Sequence, residues 1–222
     1  WMPPGYAWIN ARMTSDKNSI AERLVDYTNA LDDHMKQFAN APVQSVAFGT
    51  TGASYLIGRE REDQMIAAFQ QRYGIPLVMA ATAICAALKH LGATRIGLVS
   101  PYPPDLTDKS IEYWQSRDLD VITVSSAYND TGAFHPIYAL TGSPVSDALE
   151  PLLDRDDLDA ILLLGTGMPT VYPLKAALGR TSVPMMSCML ALVWASVAAI
   201  DPDQDTPAAL QTWLGGEHWR AD

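Results

Sequence analysis

Two short turns carry the residues best suited to chemistry. Gly49-Thr50-Thr51-Gly52 follows an apolar run and leads into a helical pattern, and Gly165-Thr166-Gly167-Met168 does the same further along the chain. The first N–H groups of a helix have no intrahelical acceptor, and threonine hydroxyls add donors beside them, so each turn is a natural cradle for an anion. Facing each other, two such cradles suit a ligand with two carboxylates, or one carboxylate and a developing oxyanion. Thr and Gly before a helix are also ordinary caps, so either turn alone says little. The pair is what points to a ligand.

Other chemistries fail on spacing. Gly165, Gly167 and Thr170 supply only two of the three glycines of a dinucleotide fingerprint, and no GxxxxGK[ST] loop or GxSxG elbow is present. Asp201, Asp203 and Asp205 begin like a calcium loop, but Thr206 and Thr212 stand where Gly and Glu are required, so a solvated cap before a helix is the better reading. His34, His90, His135 and His218 lack metal-ligand spacing, and no metal or cofactor is expected. Of the four, only His135, in a long loop, is placed to approach a strand end. Cys85 reads as core packing. Cys188 follows Ser187 at a strand-to-helix junction, where a thiol pKa can fall, although a small apolar filler is the plainer role.

The elements that must position these turns alternate. Short apolar runs at 45–48, 77–79, 95–99, 121–124, 160–164 and 185–187 read as strands. Helical patterns cover 20–38, 54–73, 81–91, 106–116, 144–153, 170–178 and 189–199. That order predicts parallel βα units. The chain also repeats itself: strand, Gly-Thr turn, amphipathic helix, X-Pro step and second strand occur around Gly49 with Ile75-Pro76-Leu77, and again around Gly165 with Val183-Pro184-Met185. Reused turn chemistry could produce such a likeness. The matching order favours duplication and a pseudo-twofold, with both turns at the carboxyl ends of strands, where ligands bind in open α/β sheets.

Composition narrows the partners. The 222 residues are 48% hydrophobic and 18% charged, with 25 acids against 15 bases and a net charge of −10. Without a basic cluster, neither nucleic acid nor an anionic membrane is an expected partner. A charge-free stretch at 183–200 has the length of a marginal span, but Pro184, Ser187 and Ser196 favour a buried strand followed by a buried helix. Two cysteines and no signal peptide suggest a cytoplasmic protein. Trp1 in place of Met suggests that an N-terminal piece is absent. Residues 1–92 and 182–222 are expected to form a first lobe and 93–181 a second. A homo-oligomer is compatible with all of this.

The segments at 49–60, 87–102, 139–149, 159–169 and 184–194, in this order, resemble the aspartate/glutamate racemase superfamily, in its maleate isomerase and arylmalonate decarboxylase branch. The resemblance runs from about Val43 to Val197. It implies an α/β fold of two Rossmann-like lobes with parallel sheets, related by a pseudo-twofold, with the active site between them. Racemases and isomerases of the superfamily carry a cysteine at the head of each turn, and the decarboxylases keep the second. Here both positions are glycine, Gly49 and Gly165. A two-cysteine mechanism therefore has no side chain to move the proton. The resemblance leaves an oxyanion cradle of Thr50, Thr51, Tyr102, Gly165, Thr166 and Gly167 as catalytic groups. Gly49, Gly52, Met168 and Cys188 would contact substrate. The expected activity is a cofactor-independent, decarboxylase-like lyase acting on a small carboxylate or dicarboxylate. An isomerase or racemase with non-cysteine acid/base groups, and a non-catalytic carboxylate binder, are the alternatives. Gly165→Cys tests whether only the proton donor differs from the decarboxylases.

Overall fold

Short apolar runs become the strands, and the two at the centre of the larger sheet are buried along almost their whole length. In the computed structural model, which describes residues 1–130, 132 and 135–219, Val46–Phe48 (β1) pairs in parallel with Leu77–Met79 (β2). Arg95–Ser100 (β3), Asp120–Ser126 (β4), Ala160–Leu163 (β5) and Met185–Ser187 (β6) form a second, wholly parallel sheet in the order β4-β3-β5-β6. Helices Thr51–Tyr73 (α3), Ala80–Leu91 (α4), Pro104–Ser116 (α5), Gly142–Leu153 (α6), Val171–Ala177 (α7) and Cys188–Ala198 (α8) alternate with the strands, while Ile20–Asn29 (α1) and Leu31–Met35 (α2) precede them and Pro207–Leu214 (α9) follows. The fold is α/β with parallel sheets, as the alternation of periods requires.

The internal repeat survives at the level of hydrogen bonds. β1-α3-β2-α4 and β5-α7-β6-α8 follow the same order. In each, the proline before the second strand supplies the first rung: Val46 N–H donates to the Pro76 carbonyl and Ile161 N–H to that of Pro184, both at 2.9 Å. Proline lacks an N–H but keeps its carbonyl, so it can open a strand. Three paired residues follow in both units. Helices α4 and α8 then pack on each other.

Several boundaries differ from expectation. The pattern at 20–38 splits into α1, α2 and a 3₁₀ turn at Lys36–Phe38. The helix after the first turn starts at Thr51 rather than Ser54, and it is broken at Gly58, whose φ of 76° and ψ of 167° are open to glycine and strained for other residues. The 182–222 flank is shared between sheets: β6 is the edge strand of the larger sheet, whereas α8 lies on α4. Asp201 caps a 3₁₀ turn at Pro202–Gln204, and Thr206 caps α9.

Two cores hold the layers. The larger collects Trp114, Trp194 and Trp213, all fully buried, with Met79, Ile84 and Leu98. The smaller joins α6, α7 and β5 through Leu149, Leu152, Leu163 and Leu174. Among the described residues, no helix is long and apolar enough to cross a membrane. The 183–200 stretch is a buried strand and a buried helix, β6 and α8.

Candidate active site

The first turn is shaped by its own backbone. After β1, Thr50 N–H donates to the Phe48 carbonyl at 3.0 Å, and Thr50 takes up the extended N-cap conformation of α3. Its hydroxyl makes no capping bond. The Thr50 hydroxyl thus leaves the opening N–H groups of α3 uncapped, and the positive end of the helix dipole is presented with them. Thr51, buried, places Oγ1 at 2.8 Å from Tyr102 Oη. Tyr102 reaches this point from the end of β3, tied by its own N–H to Ser100 Oγ at 3.3 Å and by its carbonyl to Thr107 Oγ1 at 3.2 Å. Burial is the main reason that its phenol titrates well above the usual range, with nearby Cys188 adding to it. Tyr102 thus keeps its proton at neutral pH and can donate it to an anion.

The second turn requires glycine. Gly165 has a φ of +80°, and a Cβ there would stand 2.7 Å from Ile137 Cδ1 and 2.8 Å from Pro101 Cγ. Met168 N–H closes the turn on the Gly165 carbonyl at 3.1 Å. Thr166 Oγ1 donates across to the Gly49 carbonyl at 2.6 Å, so the two Gly-Thr turns are in direct contact. Among the described residues no protein acceptor takes the N–H of Thr166 or Gly167.

A cavity of about 780 Å³ opens on both turns. Gly49, Thr50, Thr51, Gly52, Tyr102, Gly165, Thr166 and Gly167 all line it, so eight of the sequence-derived positions come together. Met168 and Cys188 do not line it. Met168 is packed in the smaller core. Cys188 is fully buried behind Thr51, at the start of α8. Burial pushes its thiol up to about 12, against the opposing pull of the Thr51 hydroxyl and the Gly165 N–H. The helix start does not outweigh that burial, and the thiol stays protonated at neutral pH. Cys85, also desolvated, is pushed up to about 12 as well.

His135 does line the cavity. Its imidazole is held below the usual range, mainly by burial and secondarily by the Arg23 charge, so it is neutral at pH 7. His90 instead meets Asp205 at 2.8 Å, and His218 packs on Trp213. Among the described residues, no group of three His, Cys, Asp or Glu side chains is placed to hold a metal ion. Sequence reasoning missed the other walls: Leu24, Leu56, Leu106, Ile137 and Tyr138, and the basic Arg12, Arg23 and Lys109. Only the aromatic and apolar residues in the loop at 127–141 gave a local hint, since large side chains in a long loop need a surface to cover.

The parallel βα units bring the two Gly-Thr turns together at one cavity at the strand ends, the place where α/β proteins bind their ligands. The chain belongs to the arylmalonate decarboxylase family, whose model matches residues 17–212. It is 24% identical over 165 residues to an arylmalonate decarboxylase of Bordetella bronchiseptica, covering 74% of this chain and 68% of that protein. Among solved structures it resembles the maleate isomerase Iso of Pseudomonas putida S16, with a TM-score of 0.72 at 20% identity over 82% of this chain and 74% of that one. A maleate cis-trans isomerase of Nocardia farcinica gives 0.73 at 18% identity, covering 87% and 78%. An arylmalonate decarboxylase structure gives 0.65 at 21%, covering 81% and 75%. At such identities the structural likeness is one of fold. The curated relative is named for arylmalonate decarboxylation, and the isomerase structures of like fold are named for the isomerisation of maleate.

Proposed function

We propose that this chain is a cofactor-independent lyase that removes carbon dioxide from a small, malonate-like carboxylate through an enolate-like intermediate. The observation that carries this reading is the meeting of the two turns. The Thr51–Tyr102 hydrogen bond and the Thr166–Gly49 hydrogen bond set hydroxyls and open N–H groups on one cavity wall. One carboxylate of the substrate sits in this cradle. The bond from Cα to the second carboxylate then breaks, its electron pair passing to Cα and onto the held carboxylate, which becomes an enediolate. Fixed donors aimed at developing charge are the largest catalytic contribution in many enzymes. Leu24, Leu106 and Ile137 give the departing carboxylate an apolar surround that favours its loss as neutral carbon dioxide. Tyr102, protonated at neutral pH, delivers a proton to Cα and recovers it from solvent.

A nuclear magnetic resonance screen against malonates, maleate and amino dicarboxylates tests the reaction. Loss of carbon dioxide from a malonate is the expected result. Exchange of the α-proton in heavy water without loss of carbon would identify an isomerase or racemase instead, and binding without any product would identify a carboxylate-binding protein. With the active substrate, Thr51→Ala is expected to lower kcat about 100-fold, the usual effect of losing one oxyanion donor, and Tyr102→Phe by at least as much, because it also removes the proton donor. Circular dichroism should show both variants folded. Full turnover in both would remove the cradle from the mechanism.

A further inference from the structure

The cavity has a second group of polar residues besides the cradle. Its lining includes Arg12, Arg23 and Lys109 against a single acid, Asp105, whereas the whole chain has 15 bases against 25 acids. The sign of the charge is therefore inverted locally. A basic lining in an acidic protein focuses attraction for an anion at one place. Arg23 is brought there by a specific contact. A Cβ at Gly52 would lie 3.0 Å from Leu24 Cδ1, so the bare Gly52 lets α1 settle against the head of α3. Leu24 and Arg23 are neighbours on α1, and their approach sets the guanidinium beside the same cavity. Arg23 Nε donates to the Lys17 carbonyl at 2.6 Å, which orients the guanidinium plane. His135 lines the same cavity, and the Arg23 charge adds to the burial that lowers its imidazole pKa. Lys109, by contrast, is exposed and held by Glu112 at 2.6 Å. Apolar side chains of Leu56, Leu106 and Ile137 line the same cavity as the cradle and the basic residues. Its 780 Å³ suits a ligand larger than a four-carbon acid.

We infer that the substrate carries a further carboxylate, beyond those at the reacting end and joined to it by an apolar linker, and that Arg23 binds that group, with Arg12 as a second cation on the same cavity lining. The inference rests on the cradle reading of the preceding subsection. A guanidinium offers paired N–H donors whose spacing matches a carboxylate, and its charge persists at every working pH. Arg23 is in this sense a specificity-determining residue.

Titrations followed by nuclear magnetic resonance would compare straight-chain diacids, succinate to suberate, with the monoacids of equal length, butanoate to octanoate. At the chain length that spans the cavity, the diacid should bind about 10-fold tighter than its monoacid, the scale of one charge-assisted hydrogen bond. Arg23→Gln should abolish that preference and leave monoacid affinity unchanged, and Arg12→Gln should reduce it. Thr51→Ala should weaken both classes alike. Equal affinity for mono- and diacids at every length would overturn the distal subsite while leaving the cradle intact. So would an Arg23→Gln variant that loses both classes equally, because that pattern marks packing rather than recognition. Failure of every acid to bind the unaltered protein would overturn the cradle and the subsite with it.

Discussion

Gly49 and Gly165 occupy corresponding places in the duplicated units, yet the space around them differs. A Cβ on Gly49 would make only an ordinary contact, 3.7 Å from Leu192 Cδ2. A Cβ on Gly165 would drive into Ile137 and Pro101 at a backbone φ of +80°. Strain at such a φ costs of the order of 1–3 kcal/mol before any clash is added. Gly165→Ala is therefore expected to lower the melting temperature by several degrees, and Gly49→Ala by much less, as thermal denaturation would measure. The same geometry bears on Gly165→Cys. The Cβ of a cysteine there meets both Ile137 Cδ1 and Pro101 Cγ, so Gly165→Cys is expected to be destabilised as Gly165→Ala is, and a smaller residue at 137 should relieve part of that cost. Without a thiol on the cavity wall, proton handling falls to Tyr102 in the proposed reaction.

Helix α3 shows how an element holds a catalytic turn in place. Its first two turns, which carry Thr51, are separated from the rest by the break at Gly58. The break is spanned by a buried bond from Ser54 Oγ to Glu62 Oε1 at 2.6 Å. Glu62 also accepts from Arg117 at 2.7 Å and from the Tyr113 hydroxyl, tying α3 to α5. Burial, and then the Glu62 charge, raise the Tyr113 phenol well above the usual range, so it remains a donor. Removing one partner of a buried ionic network leaves the others desolvated and uncompensated. Glu62→Ala is accordingly expected to cost about 3 kcal/mol in denaturant unfolding. Glu62→Gln keeps the shape and should cost less. Both should reduce turnover if the Thr51 segment depends on this brace, and unchanged turnover in a destabilised Glu62→Ala variant would show that it does not.

Across the whole molecule, the candidate site depends on one contact between residues distant in sequence. Thr166 Oγ1 donates to the Gly49 carbonyl across 117 positions, and it sets the separation of the two cradles. Thr166→Val keeps the shape and removes that donor. The expected loss in stability is only about 1 kcal/mol, typical of a single neutral hydrogen bond. The loss of kcat should be larger, because misplacing donors by a fraction of an ångström weakens transition-state binding more than it weakens the fold. Comparing denaturation midpoints with turnover in this variant separates the two effects. The acidic surface, with its net charge of −10, leaves the basic residues of the cavity as a local exception.

The order of elements, the parallel pairing and the duplication were legible in the sequence, because each rests on local physics. The two Gly-Thr turns that share the cavity were legible with them, whereas Tyr102 came only from the family resemblance. Buried strands need continuous apolar runs, turns need Gly and Thr, and prolines mark strand starts. The break at Gly58 was not legible, since an isolated glycine within a helical pattern looks the same whether the helix bends or not. Nor could spacing show that Cys188 lies behind the wall, that Ile137 fills the space beside Gly165, or that Arg23 reaches the cavity. Those facts depend on which surfaces meet when α1, the 3₁₀ turn at Pro136–Ala139 and α8 pack at the strand ends. Local propensity determines each element, but only packing decides which side chains share one cavity.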